Sequence, residues 1–355
     1  MCRDLACPAR LPLRSARSRS LLMAGPPLVS IGLPVYNAER YLKLALDSLV
    51  AQDHPNFELI ISDNASTDGT EKICRSYAQR DARVRYHRAE HNMGAIWNFN
   101  RVFELARGEY FMWAAHDDLR DPRCVSACVA AMQTRPDAVL CCTGIRFIDE
   151  DGGAIDVAPH VAGIRPTGRT PGERLRQVAR ACNWYDFYGL ARTSALSRTR
   201  RAFPTWGFDV VVLLELCLRG TVVLVPEPLF SYRLIAVKTE PGMAVSLSSD
   251  GGIGVCWSCM TIEMLRAIWL APFGVPERLA LAVLFLVNFC FLNWRVAAHL
   301  RRDLAPNIRI ALRERRLGRS AVLLVVGALV YPVYNRLTQA LYHRARRAGE
   351  GVSGA

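Results

Sequence analysis

Between Leu28 and Ala115 the chain alternates short apolar runs with stretches of helical spacing, at intervals of about 25 residues. Leu28 to Tyr36 (L-V-S-I-G-L-P-V-Y), Phe57 to Ser62, Val84 to His87 and Tyr110 to Ala115 are of strand length. Ala38 to Gln52, the segment ending at Gln79, and Ala95 to Ala106 read as the helices between them. Asn37 is placed to cap the first helix, and Asp68 or Thr67 the second. Strands joined by crossover helices pair in parallel and bind ligands beyond their carboxyl ends. The expected fold class is therefore α/β, a doubly wound, mostly parallel sheet, followed by a mainly helical appendage. With 355 residues there is room for one such domain plus the appendage, or for two domains.

Three loops leave the carboxyl ends of these strands: Pro34 to Asn37, Asp63 to Ser66, and His116 to Asp118. They are expected to converge on one crevice. The third ends a buried strand in two adjacent carboxylates, Asp117 and Asp118, which repel each other unless a cation or a hydrogen-bond network neutralises them. Mn²⁺ or Mg²⁺ on a diphosphate would do so, because such ions are held by one or two carboxylates while phosphates fill much of the remaining shell. A solvated turn or a helix start at Asp121-Pro122 is the plainer alternative. No G-x-G-x-x-G follows the first strand and no G-x-x-x-x-G-K-[ST] occurs, which argues against a dinucleotide oxidoreductase or a P-loop NTPase. Asp63 is placed to read the N–H edge of a base, or else to close an Asx-turn.

In the second half, Ala138 to Cys142 reads as a strand. Asn183 to Arg192 gathers a tryptophan, two tyrosines and an arginine, suited equally to stacking on sugars and to an aromatic core. Val210 to Leu218 reads as a helix ended by Gly220, which puts Asp209 at its N-terminus, where the dipole favours the ionised form. Val222 to Pro226 and Leu229 to Arg233 read as two short strands.

V-S-I-G-L-P-V-Y-N, S-D-N-A-S-T-D-G-T, N-M-G and A-R-G-E-Y-F-M-W-A-A-H-D-D-L, in that order, resemble the family 2 glycosyltransferases of the GT-A fold. The resemblance is strong over Val29 to Arg123 and weaker to Arg233. It implies that Pro34, Tyr36, Asn37, Asp63, Asn92 and Gly94 hold the donor nucleotide, that Asp117 contacts ribose or sugar, and that Asp118 ligates the metal. It also places Asp209 where inverting members keep the general base, with Glu215 as the runner-up. Family members often carry a histidine two residues past a Tyr-Arg pair. Here Tyr232-Arg233 is followed by Leu234 and Ile235, which leaves Arg233 or Lys238 to meet the diphosphate and the Glu240 to Gly254 loop as a lid.

The implied activity is inverting, metal-dependent transfer of a sugar from a nucleotide donor, UDP by default, to a hydroxyl acceptor of a surface polysaccharide or glycolipid. Transfer to a polyprenyl phosphate and a non-catalytic, membrane-bound nucleotide-binding scaffold are the two alternatives.

The formal charge of +13 comes mostly from arginine near the two ends of the chain, beside apolar segments. That pairing points to an anionic membrane surface and not to nucleic acid, for which no recognition module is present. Leu279 to Trp294 and Ala321 to Tyr334 are apolar but shorter than the ~30 Å hydrocarbon core, so they are expected to lie in the interface, to enter it as a hairpin, or to pack as an ordinary helical subdomain. Arg295 to Arg319 and His343 to Arg347 are basic. The twelve cysteines show no disulfide framework and are read as reduced, and Cys256-Trp-Ser-Cys259 is a lone CxxC. The expected location is the cytoplasm, peripheral on the inner face of the cell membrane. The expected organisation is a disordered or spurious extension over 1–24, a catalytic domain over 25–235 with nucleotide-sugar (25–123) and acceptor (124–235) halves, a helical region over 236–348, and a tail over 349–355.

Overall fold

The computed structural model describes residues 25–156, 166–181, 184–235, 256–291, 296, 299, 300 and 306–309. Residues 1–24, Asn183, Lys238, the Glu240 to Gly254 loop, Ala321 to Tyr334, the His343 to Arg347 cluster and nearly all of Arg295 to Arg319 lie outside these.

The first half runs β1 (Val29–Val35), α1 (Glu39–Val50), β2 (Phe57–Asp63), α2 (Thr70–Arg80), β3 (Val84–Arg88), α3 (Ala95–Glu104) and β4 (Tyr110–Trp113). β3, β2, β1 and β4 lie side by side and parallel, as the alternating pattern requires. Within β1 and β4 successive side chains take opposite faces: Val29, Ile31, Leu33, Tyr110 and Met112 pack toward α1, whereas Phe111 and Trp113 enter the core on the other side. Leu42, Leu46 and Leu49 of α1 are fully buried, a gain of about 2 kcal/mol each. Gly32 is the small residue inside β1 because a Cβ there would run into Phe111 and Val102.

The second half departs from a simple doubly wound sheet. It comprises β5 (Leu119–Arg120), α4 (Cys124–Thr134), β6 (Ala138–Ile148), β7 (Ala154–Ile155), α5 (Pro171–Ala181), β8 (Leu190–Arg192), α6 (Phe208–Cys217) and β9 (Thr221–Arg233). The sheet order is β3-β2-β1-β4-β8-β6-β9-β5, with β7 on β6. β8 is antiparallel to both β4 and β6, while β6 and β9 are parallel, so the sheet is mixed with a mostly parallel core. The two strands expected at 222–226 and 229–233 are one strand, bent where Gly144 faces Pro226 and Glu227. Pro226 and Pro228 interrupt the sequence pattern without ending the strand.

One cap differs from expectation, while Asp68 meets the start of α2 as expected. Asn37 adopts a left-handed conformation (φ 48°), and its side chain accepts from Thr67 N–H at 2.9 Å instead of capping α1. The start of α1 is bonded from the β2–α2 loop, Ala38 N–H to Thr70 Oγ1 at 2.8 Å and Glu39 N–H to Asp68 Oδ2 at 3.1 Å. Asp68 Oδ1 also accepts from Thr70 N–H at 3.0 Å, so one aspartate serves two helix starts.

α6 is apolar on every side and is accordingly buried, packed between the sheet and the helices α5 and α7 (Trp257–Trp269), with α8 (Val275–Leu286) beyond. The reading of all cysteines as reduced is corrected at one place: Cys256 and Cys259 form a disulfide across the start of α7. The CxxC spacing puts its two sulfurs on the same side of one helical turn. Cys124, Cys128, Cys141 and Cys142 are buried thiols, as expected. Among the described residues no helix is long and apolar enough to cross a membrane.

Candidate active site

At the carboxyl edge of β1 and β2, Pro34 lies opposite Ser62 and Val35 opposite Asp63. Tyr36 stands out from this edge, about half exposed at 45%. Asn37 N–H donates to Ser66 Oγ at 3.0 Å, so the two loops expected to meet do meet. Asp63 is fully buried and its oxygens are taken by the protein itself: Oδ1 accepts from Ser66 N–H at 2.9 Å and Oδ2 from Tyr86 Oη at 2.7 Å, with Arg88 Nε 3.7 Å away. Burial and that carboxylate push the Tyr86 phenol far up, so it remains a donor. The Asx-turn alternative for Asp63 is thus the one this geometry displays. Asn92 Oδ1 accepts from Asn64 Nδ2 at 2.6 Å and from Gly94 N–H at 2.8 Å, and Gly94 takes a positive φ (82°) before α3. These residues close the same edge from the β3 side. Asn98 of α3 was not anticipated; it is buried and donates from Nδ2 to Val35 O at 3.1 Å.

Asp117 and Asp118 follow β4 and precede β5, and both are buried. β5 is clamped antiparallel on β9, Leu119 opposite Ser231 and Arg120 opposite Phe230, which brings Arg233 beside the acids. Arg233 N–H donates to Asp118 Oδ1 at 2.9 Å and Arg233 Nε to Asp117 O at 2.8 Å. Nη1 reaches Asp149 O and Glu150 O at 2.8 and 2.9 Å, and the guanidinium lies 4.6 Å from the centroid of the Tyr41 ring. Arg233, expected to meet a diphosphate, is a buried strut whose Nε and Nη1 donate to main-chain carbonyls. Among the described residues no cluster of three or more His, Cys, Asp or Glu side chains could hold an ion.

Asp209 sits in the first turn of α6, after Gly207 in the left-handed conformation (φ 71°). Burial raises its carboxyl to about 6, against a pull downward from the N–H of Val210, which donates to Oδ1 at 2.8 Å. Glu215 is buried deeper in the helix and paired with Arg200, Nε to Oε1 at 2.5 Å, while Arg200 also pairs with Glu263 of α7. Its role is to join two helices, which removes it as a rival base.

Tyr188, passed over among the other aromatics, joins the two groups of acids. Burial, and then the charges of Asp118, Asp117 and Asp209, push its phenol well above the usual value. The charges of all three aspartates thus act on this one side chain. Arg120 fixes this residue by donating from Nη2 to Tyr188 O at 2.9 Å, with its guanidinium 3.7 Å from the centroid of Phe230. Its neighbour Tyr185 is buried among Phe147 and Tyr232, and Trp184 Nε1 donates to Tyr232 Oη at 3.2 Å. Most of the tryptophan and tyrosine content at 184–188 is thus aromatic core, the second of the two roles open to it. Its last member, Tyr188, is the one on which the charges of all three acids act.

Residues 30–189 match the model of glycosyl transferase family 2. TuaG of Bacillus subtilis (strain 168), described by its name as a teichuronic acid biosynthesis glycosyltransferase, is 30% identical over 214 residues, 59% of this chain and 80% of that protein. The glycosyltransferase EpsE of the same organism is 33% identical over 131 residues, 37% of this chain and 47% of that protein, so the chain spans less than half of that relative. Among solved structures, S. aureus TarS 1-349 in complex with UDP superimposes with a TM-score of 0.58 at 16% identity, covering 89% of this chain and 91% of that one. At that identity the likeness speaks for the fold.

Proposed function

This chain belongs to glycosyl transferase family 2, and from that premise we propose that it moves a sugar, with inversion, from a nucleoside diphosphate donor to an acceptor hydroxyl. The observation that carries the reading is the pair of buried carboxylates, Asp117 and Asp118, held beyond β4 by the pairing of β5 on β9, together with their charges and that of Asp209 acting on Tyr188. Donor acids and base then share one crevice, as a single displacement requires.

Tyr36, Pro34 and Asn37 form the edge against which the base and ribose lie, with Asp63, Asn92 and Gly94 shaping the loops behind them. Asp117 faces the ribose or sugar. Among the described residues the donor set beyond β4 is the two buried carboxylates, which fits Mn²⁺ or Mg²⁺ shared with phosphate oxygens. Asp118 would be the protein ligand, and the ion when bound would stabilise charge on the departing diphosphate.

Asp209 accepts the acceptor hydroxyl's proton as that oxygen attacks the anomeric carbon. Its elevated pKa, about 6, makes it a stronger base than an ordinary carboxylate, yet it is ionised at neutral pH. No second carboxylate stands ready as a covalent nucleophile in this scheme, hence inversion. The complex of TarS with UDP supports UDP as the first donor nucleotide to try, and the name of TuaG supports a cell-surface polymer as acceptor.

The test is a panel of nucleotide sugars assayed for released nucleoside diphosphate, with and without Mn²⁺, for the native chain and for Asp209→Asn. Metal-dependent release from at least one donor, slowed by about a hundredfold or more in the variant with a hydroxyl acceptor, is expected. Full turnover of Asp209→Asn would favour a phosphate acceptor, which needs no base. Nucleotide binding without turnover of any donor would favour a scaffold.

A further inference from the structure

The solvent side of α8 is mostly apolar, with Glu277 in its first turn as an exposed acid at the edge. Val275, Leu279, Val283 and Val287 follow one another at four-residue steps along α8 and the turn after it, and they are 54%, 53%, 63% and 41% exposed. Pro276 and Ala280 are exposed on the same face, at helical steps of about 100°. Leu281 and Phe285 occupy the opposite face and are buried against the helical core. The segment leading into the helix continues the surface, with Trp269 and Leu270 at 50% and 53% exposed. An ordinary surface helix is polar on its outer face, so one that is apolar on both faces needs a second partner.

The charge around this face indicates its partner. Arg266 is exposed on α7, and the guanidinium of Arg278 lies 5.9 Å from the centroid of Trp269. From Cys256 to the end of the chain the sequence holds fourteen arginines, no lysine and five acids. An apolar helix face with a tryptophan and two arginines at one end matches the boundary of an anionic bilayer, where the face sinks among acyl chains and the cations meet lipid phosphates. α8 has twelve residues, about 18 Å, too short to span but long enough to lie flat.

We propose that the face formed by Trp269, Leu270, Val275, Leu279, Val283 and Val287 docks this glycosyltransferase on an anionic phospholipid surface. The docking does not depend on which donor or acceptor the crevice takes. The test is co-sedimentation of the full chain with phosphatidylcholine vesicles with and without phosphatidylglycerol, compared with Leu279→Glu/Val283→Glu. Both positions are exposed, so the double variant is expected to keep the native unfolding temperature and nucleotide binding. Binding of the native chain to phosphatidylglycerol vesicles, weakened by added salt and reduced about tenfold or more in the variant, is the expected result. The proposal is overturned if the native chain stays in the supernatant, if the variant binds as well as the native chain, or if light scattering shows a dimer that the two glutamates dissolve.

Discussion

The main-chain N–H of Arg233, the last residue of β9, donates to Asp118 Oδ1 at 2.9 Å across more than a hundred residues of sequence. The same residue holds the carbonyl of Asp117 through its Nε. One arginine thus fixes both acids of the pair, through its backbone for one and its side chain for the other. β9 thereby ties the acid loop to the sheet.

Arg233→Lys keeps the charge but loses the fork that reaches Asp117, Asp149 and Glu150. Urea unfolding is expected to show a loss of about 2 kcal/mol. The concentration of Mn²⁺ needed for half-maximal activity should rise at the same time, because the backbone bond to Asp118 survives but its alignment does not. A variant with native stability and native metal response would remove the strut.

Asp209 links activity and stability to pH. Its folded pKa, about 6, lies above the ordinary 3.8, so between these values the unfolded chain is ionised while the folded one keeps the proton. The cost to stability is absent below pH 4, grows as the pH rises, and is complete above pH 6. Asp209→Asn should therefore be more stable than the native chain by about 3 kcal/mol at pH 8 and equal to it at pH 4. In the native chain the rate should rise about tenfold per pH unit below 6 and level off above it.

Gly207 precedes α6 with a positive φ of 71°, and a Cβ there would collide with Met260 of α7. Gly207→Ala is expected to cost about 2 kcal/mol and to tilt the first turn of the helix. Because that turn carries Asp209 and not the nucleotide edge, kcat should fall while nucleotide affinity is retained. Adding Met260→Ala should recover part of the loss.

Glu215→Ala leaves Arg200 facing Glu263 alone and removes the tie between α6 and α7. A loss of about 3 kcal/mol is expected, measured by thermal unfolding. At a temperature where the variant is still folded, turnover should remain within a few fold of native. A hundredfold loss of turnover in a well-folded variant would return Glu215 to the chemistry.

Much of this was legible before any coordinates. The four parallel strands follow from apolar runs separated by helical spacing, and Asp117 and Asp118 stood out because two acids ending a buried strand need a cause. What was not legible depends on partners distant in sequence. β8 is three residues long, too short to show a period, yet it reverses the sheet between β4 and β6. Pro226 and Pro228 broke the pattern of a strand that merely bends. Asn37 looked like a cap because it precedes a helix, but the cap comes from Asp68 and Thr70, thirty residues on. Tyr188 differs in no local way from Tyr185; the charges that act on it come from β5, the loop before it and α6, elements distant in sequence.

The central claim is that Asp118 and Asp209 serve one crevice in which an ion offsets the charge of a leaving diphosphate. Its most direct test is the rate of nucleoside diphosphate release from the preferred donor as Mn²⁺ is titrated, in the native chain and in Asp118→Asn, an isostere that still accepts from Arg233 N–H. The account predicts saturable activation by Mn²⁺ in the native chain and a loss of about a hundredfold or more in the variant, with unfolding unchanged. Equal release by the two proteins at every Mn²⁺ concentration would contradict it.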